Sequence, residues 1–206
     1  MAPKSDAESA VTSALVSANV RADAQRNADA VLSAAKEVFA EKGVDAPVRD
    51  IAAKAGVGIG TLYRRFPKRS DLIKAVFKQE VDACAATAAD FSAQYSSMEA
   101  LTRWLHRYTD FIAAKRGLSS ALRSGDPAYD ELPDYFRARF EPVLGELLRQ
   151  ASEVQEIRAD IEAYDLLRAI GNLAAATGDG SADHTRRMVG LLVDGLRNPP
   201  RKGSNL

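Results

Sequence analysis

The sequence predicts an all-α protein, with a three-helix head at the N-terminal end and a helical body behind it, about nine helices in total. Three observations carry this reading. Apolar residues recur at i, i+3, i+4 and i+7 through most of the chain, which is the spacing of one helical face. No stretch of useful length alternates with period two, as a half-buried strand would. Glycine, proline and serine interrupt the apolar stripes at intervals that leave room for helices between them.

Residues 1–24 are rich in Ala, Ser and Asp and read as a flexible arm, with a fraying helical turn at most. From Asn27 to Lys42, Val31, Ala34, Ala35, Val38 and Phe39 form a buried stripe, and Gly43 stops the helix. Pro47 suits a first helical position, where its missing amide hydrogen removes nothing. Val48, Ile51, Ala52 and Ala55 then make a second short stripe, closed by Gly56. A third helix runs from Gly60 to Phe66. It turns Leu62 and Phe66 inward and leaves Thr61, Tyr63, Arg64 and Arg65 outside. Lys68 and Arg69 open a fourth helix that reaches about Tyr95, with Leu72, Ile73, Val76, Phe77 and Val81 inside.

Ser97 is a suitable N-cap for a helix over Met98–Lys115 that carries Leu101, Trp104, Leu105, Tyr108, Phe111 and Ile112. A short helix is expected over 116–125, then a long one over 131–152, kinked at Pro142. Segments 159–177 and 182–197 form the last two. The organisation expected is a flexible arm (1–24), a head (25–72), a body (73–198) and a flexible tail (199–206).

Composition narrows the class. The chain has 206 residues, 46% of them hydrophobic and 27% charged, as in a globular protein with a sizeable core. No run approaches the ~18–20 apolar residues that span a bilayer, so no membrane partner is expected. The early stretch SAVTSALVSANV is too broken by Ser, Thr and Asn for a secretory signal. The single Cys84 excludes an intrachain disulfide framework and fits a reducing, cytoplasmic setting. Formal net charge is zero but uneven: residues 21–78 hold 12 Lys/Arg against 7 Asp/Glu, and residues 79–206 hold 15 against 19. A basic head on a mildly acidic body is the distribution of a nucleic-acid reader.

Val48 to Leu72 has the layout of a helix-turn-helix, whose second helix enters the major groove. Its pattern AxxAGVGxGTLYRRFPxRxDL resembles the signature of the TetR family of bacterial transcriptional regulators, through the TLYxxF core and the cation just after it. The resemblance spans Arg26 to Phe77, about a quarter of the chain. It implies that Arg49, at the start of the second helix, contacts DNA, and that Gly58, Ile59 and Gly60 let the backbone come close to it. Thr61 then donates its hydroxyl to phosphate or packs its methyl against thymine, Tyr63 meets phosphate, and Arg64 and Arg65 read bases, since a guanidinium fork fits the guanine edge. Lys68 and Arg69 clamp the backbone. Arg21 and Arg26 are further candidates for phosphate contact. Ile59 has no group to hydrogen-bond a base, so readout there is apolar or absent.

For the body, the resemblance implies a homodimer on a palindromic operator in double-stranded DNA, and a pocket for a small-molecule effector. The expected interface residues are Ala169, Leu173, Ala174, Met188, Leu191 and Leu192. The expected pocket comprises Trp104, Tyr108, Phe111, Phe136, Phe140, Tyr164 and Asn172, an aromatic set with few polar groups that leans towards an apolar ligand.

Two other classes compete. An enzyme would need reactive constellations, and this chain has two histidines, one cysteine and no HxxxH, CxxC, GxSxG or GxxxxGK[ST]. Gly56, Gly58 and Gly60 follow no hydrophobic strand, which removes the dinucleotide-fold context. Neither catalytic residue, metal nor cofactor is expected. A non-catalytic α-helical adaptor that binds only protein would keep the dimer, yet has no use for an outward Arg64/Arg65 pair.

Overall fold

The computed structural model describes residues 5–114, 124–176 and 182–197, and every regular element among them is helical. The α-helices are α1 (Ser5–Lys42), α2 (Val48–Ala55), α3 (Ile59–Arg65), α4 (Arg69–Gln94), α5 (Ser97–Ala114), α6 (Leu132–Glu153), α7 (Ala163–Ala176) and α8 (Ala182–Leu196). A single 3-10 turn, Pro127–Tyr129, precedes α6. The all-α expectation holds. The short helix expected over 116–125 lies almost wholly outside the described residues, and the tail at 199–206 lies entirely outside them.

The largest departure is at the N-terminal end. The segment expected to be an arm is helix from Ser5, continuous with α1 to Lys42. Ala7, Ala10, Ala14, Ala18 and Ala22 recur at spacings of three and four, and alanine is the strongest helix former. That spacing outweighs the Ser and Asp residues that point to an arm. Ahead of Asp23 the helical backbone alone is described. Pro47 also differs slightly: it is the N-cap of α2, with φ −59° and ψ 131°, and Val48 takes the first helical position. The last helix pair opens later than expected, at Ala163. Ahead of it Arg158 is tied to Asp160 (Nε–Oδ1 2.6 Å), and the Arg158 amide donates to the Leu196 carbonyl at 3.0 Å.

The chain divides into two compact units within α4, Met1–Val76 and Phe77–Leu206. The core of the first is Val31, Ala35, Val38 and Phe39 of α1, Ile51 and Ala52 of α2, Leu62 of α3, and Leu72, Ile73 and Val76 of α4, all at most 3% exposed. Each large apolar side chain buried this way contributes about 1.5–3 kcal/mol. Ion pairs join the rim of α1 to α2, from Lys54 to Glu37 (2.7 Å) and Glu41 (3.4 Å) and from Lys42 to Asp50 (2.9 Å).

The second unit packs α5 against α6, α7 and α8 around Leu101, Trp104, Leu105, Tyr108, Phe140, Leu144, Leu167, Ile170 and Val189. Polar ties fasten the second unit's part of α4 to α6. Tyr135 Oη donates to Asp82 at 2.7 Å, Arg139 Nε donates to the same carboxylate at 2.6 Å, and Lys78 lies 3.3 Å from Glu131.

Candidate nucleic-acid interface

The turn between α2 and α3 is built from backbone chemistry. Gly56 sits at φ 67°, the left-handed region that favours glycine, and its amide donates to Ala53 O at 3.2 Å. The Val57 amide reaches Ala52 O at 3.0 Å, completing the paired bonds of a Schellman ending. Gly58 then caps α3 in an extended conformation, with no side-chain hydrogen bond to the helix start. These bonds fix where α2 stops and how soon α3 begins.

Packing decides which face of α3 is free. Leu62 (2% exposed) and Phe66 are buried, so the residues between and before them point outward. Gly58, Ile59, Gly60, Thr61, Tyr63, Arg64 and Arg65 are all exposed, with Ile59 at 49% and Tyr63 at 50%. A half-exposed isoleucine beside a half-exposed tyrosine on a seven-residue helix is apolar surface not used by this unit's own core. A groove of about 440 Å³ runs beside this face, between α1 and α3, lined by Asn27, Thr61, Arg64 and Arg65 above a floor of Val31 and Leu62.

The cations sort into two groups. Lys42 and Lys54 are consumed by α1–α2 ion pairs, and Arg26 is paired with Asp23. The glutamate partners of Lys54 hold its ammonium above the usual lysine range, Glu37 most strongly. By contrast, Arg64, Arg65 and Lys68 are exposed and have no acidic partner within ion-pair distance among the described residues. Arg49 is also open, its side chain 80% exposed and 3.7 Å from Asp50. Cations left unneutralised on one exposed face are what a polyanion needs.

Arg69 departs from its expected role. It is half-buried, and its Nη1 donates to the Val44 carbonyl in the α1–α2 connection, so it fastens the start of α4 within the head. Lys68 is left as the exposed cation at that helix start. Its amide is capped by Asp71 Oδ2 at 3.1 Å, the back-bonding half of a capping box. Nothing in the local pattern announces the Arg69–Val44 bond, because the partner is a backbone carbonyl 25 residues away.

In the body, five of the seven expected pocket residues come together. Trp104 and Tyr108 stack at 5.7 Å, and Phe140 meets Tyr108 edge-on at 5.3 Å and Phe136 at 4.8 Å; Phe111 joins at 5.3 Å from Phe140. Tyr108 Oη donates to Leu167 O at 3.2 Å. Burial pushes the Tyr108 phenol well above its ordinary range. Trp104 Nε1 is buried with no hydrogen-bond partner among the described residues.

The other two expected pocket residues fall outside that cluster. Tyr164 is half-buried with the Arg137 guanidinium over its ring at 4.2 Å. Asn172 is exposed, on the outward face of α7 with Asp165, Arg168 and Ala169, because the opposite face carries Leu166, Leu167, Ile170 and Ala174 inward. Of the expected interface residues, Leu191 is 63% exposed, Ala169 is exposed, and Leu173, Met188 and Leu192 are half-buried. Ala174 is 4% exposed and already covered within one protomer, which removes it from that set.

Known proteins match along most of the chain. The family model of the bacterial regulatory proteins of the tetR family matches residues 31–76, and that of the SbtR-like transcriptional regulator C-terminal domain matches residues 96–198. A TetR transcriptional regulator of Streptomyces coelicolor is 35% identical, with 82% of this chain and 98% of that one aligned at a TM-score of 0.70. The TetR-like regulator LfrR of Mycobacterium smegmatis, solved with proflavine, is 25% identical over 82% of this chain and 95% of its own, at a TM-score of 0.59. An HTH-type transcriptional regulator of Staphylococcus aureus (strain USA300) is 27% identical over 132 residues, 59% of this chain and 71% of that one.

Proposed function

The chain belongs to the TetR family of DNA-binding transcriptional regulators, and on that premise we propose that it is a homodimeric repressor released from a palindromic operator by a small apolar effector. The observation that carries the DNA contacts is the exposed face of α3, where Thr61, Tyr63, Arg64 and Arg65 stand outward over a buried Leu62 and Phe66. Arg64 and Arg65 read base edges, as a bidentate guanidinium does on guanine. Tyr63, Thr61, Arg49 and Lys68 hold phosphates and set the register. Gly58 and Gly60 keep the backbone free of side chains where it nears the duplex, and Ile59 offers only apolar contact. The head corresponds to the first compact unit, through Val76, and the body to the second, from Phe77.

The effector site is the aromatic cluster of Trp104, Tyr108, Phe111, Phe136 and Phe140. Its aromatic rings offer apolar contact to a planar molecule, and the relative LfrR is solved with proflavine. The unpartnered Trp104 N–H favours an effector that also carries a hydrogen-bond acceptor, since leaving a buried donor unmatched costs about 1–3 kcal/mol. Effector binding moves α4, changes the spacing of the two heads and releases DNA. A test uses a fluorescent operator duplex and planar uncharged compounds that do not bind the free duplex, with and without a hydrogen-bond acceptor. Release of duplex in step with quenching of Trp104 fluorescence is expected. A compound that quenches Trp104 and leaves DNA affinity unchanged contradicts the derepression model.

A further inference from the structure

We propose that α8 pairs with its own copy in an antiparallel crossing centred between Gly190 and Leu191, with Arg187 of each protomer facing Asp194 of the partner subunit. The inference rests on the reading of α7 and α8 as the dimer-forming helices and adds a register and a central helix to it.

The register follows from how α8 is divided. Thr185, Val189, Val193 and Leu196 are buried and lie on one side of the helix. The opposite side carries Arg187, Gly190, Leu191 and Asp194, at i, i+3, i+4 and i+7, and these are exposed apart from the half-exposed Gly190. Leu191 is 63% exposed, the highest value among the exposed large hydrophobic residues of the described chain. Beside it Gly190 is a notch: a side chain there would meet nothing within 4 Å. A knob next to a notch is self-complementary under a two-fold axis, which sets Leu191 over Gly190 of the partner subunit and the reverse. The glycine also permits the close end of helix–helix approach.

The same axis brings Arg187 opposite the partner subunit's Asp194, and it does so twice. Within one protomer these two groups are weakly engaged. Among the described residues Asp194 has only a 3.9 Å approach from Arg197, and the cation that ties α8 to its own α5 is the neighbouring Arg186, 3.0 Å from Asp110. The α7 surface lacks this symmetry. Its exposed face is Asp165, Arg168, Ala169 and Asn172, so an axis between Arg168 and Ala169 crowds two guanidinium groups together and faces Asp165 with an amide. Charge complementarity therefore places α8, not α7, at the centre.

The test is charge exchange in the full-length chain, read by sedimentation or native mass spectrometry. Arg187→Asp or Asp194→Arg alone makes two like-charge contacts and is expected to weaken the dimer on the order of tenfold. The double variant Arg187→Asp/Asp194→Arg restores it. Mixing the two single variants yields the mixed dimer in excess over either parent, a result that misfolding of one variant cannot imitate. Statistical mixing with unchanged dimer affinity overturns the register and leaves the α7–α8 reading standing. A wild-type chain that stays monomeric overturns both.

Discussion

The Arg69 guanidinium donates to the backbone carbonyl of Val44, tying the first residue of α4 to the connection between α1 and α2. Its neighbour Lys68 is exposed and lends only its amide to the fold, through Asp71. Two adjacent cations thus have separable tasks. Arg69→Ala is expected to destabilise the protein by about 1–2 kcal/mol in urea unfolding, since it removes a charge-assisted bond from a half-buried carbonyl. Lys68→Ala is expected to leave stability unchanged and to reduce the salt dependence of DNA binding by about one counterion.

The turn of the helix-turn-helix makes its own demand. A methyl group at Gly56 would meet nothing within 4 Å, so space does not select glycine there; its φ of 67° does. Gly56→Ala is expected to cost about 1 kcal/mol of stability, and Gly56→Val more, because a β-branched residue tolerates the left-handed region least. Thermal melts of the two variants check the order.

Tyr135 ties α6 to α4 through Asp82, and burial, followed by that bond, raises the phenol above its ordinary range. Tyr135→Phe keeps the ring under Lys78 and loses only that bond. A loss of about 1–2 kcal/mol is expected, smaller than for Asp82→Asn, which also weakens the tie to Arg139. Chemical denaturation of the pair measures it.

Tyr108 supplies a pH prediction. Its folded-state phenol is raised above the ordinary value of 10, chiefly by burial, so folding favours the protonated form. The associated stability is fully present below pH 10 and is lost as pH rises from there towards the folded-state value. Of the six tyrosines, Tyr108 is expected to ionise only on alkaline unfolding, as a late step in phenolate absorbance that coincides with loss of helical circular dichroism.

What the sequence makes legible depends on the range of the interactions. Helical spacing alone assigns Ile51, Leu62 and Phe66 to the core, and all three are buried, because that spacing is a local property of one helix. The glycine ending of α2 is equally local. The outward placement of Thr61, Tyr63, Arg64 and Arg65 follows from the same periodicity. Arg69–Val44, Tyr135–Asp82 and Arg139–Asp82 join residues 25, 53 and 57 positions apart, and no short-range pattern encodes such pairs. The polarity of Asn172 resembles that of a pocket residue, while its helical phase with Asp165, Arg168 and Ala169 sets it outward. The N-terminal part of α1 misleads for the opposite reason, since its small residues conceal a regular spacing.

Whether the exposed face of α3 reads a palindromic sequence is tested most directly by selection from a random duplex library, followed by a salt titration on the enriched sequence. The wild-type chain and Arg64→Ala/Arg65→Ala are compared. The predicted result is a two-fold symmetric motif for the wild type with a steep salt slope, lost in the variant at about 1–3 kcal/mol per arginine while the oligomeric state is unchanged. Equal, weak binding to all sequences by both proteins would contradict it, and would leave the face of Tyr63, Arg64 and Arg65 to a protein partner.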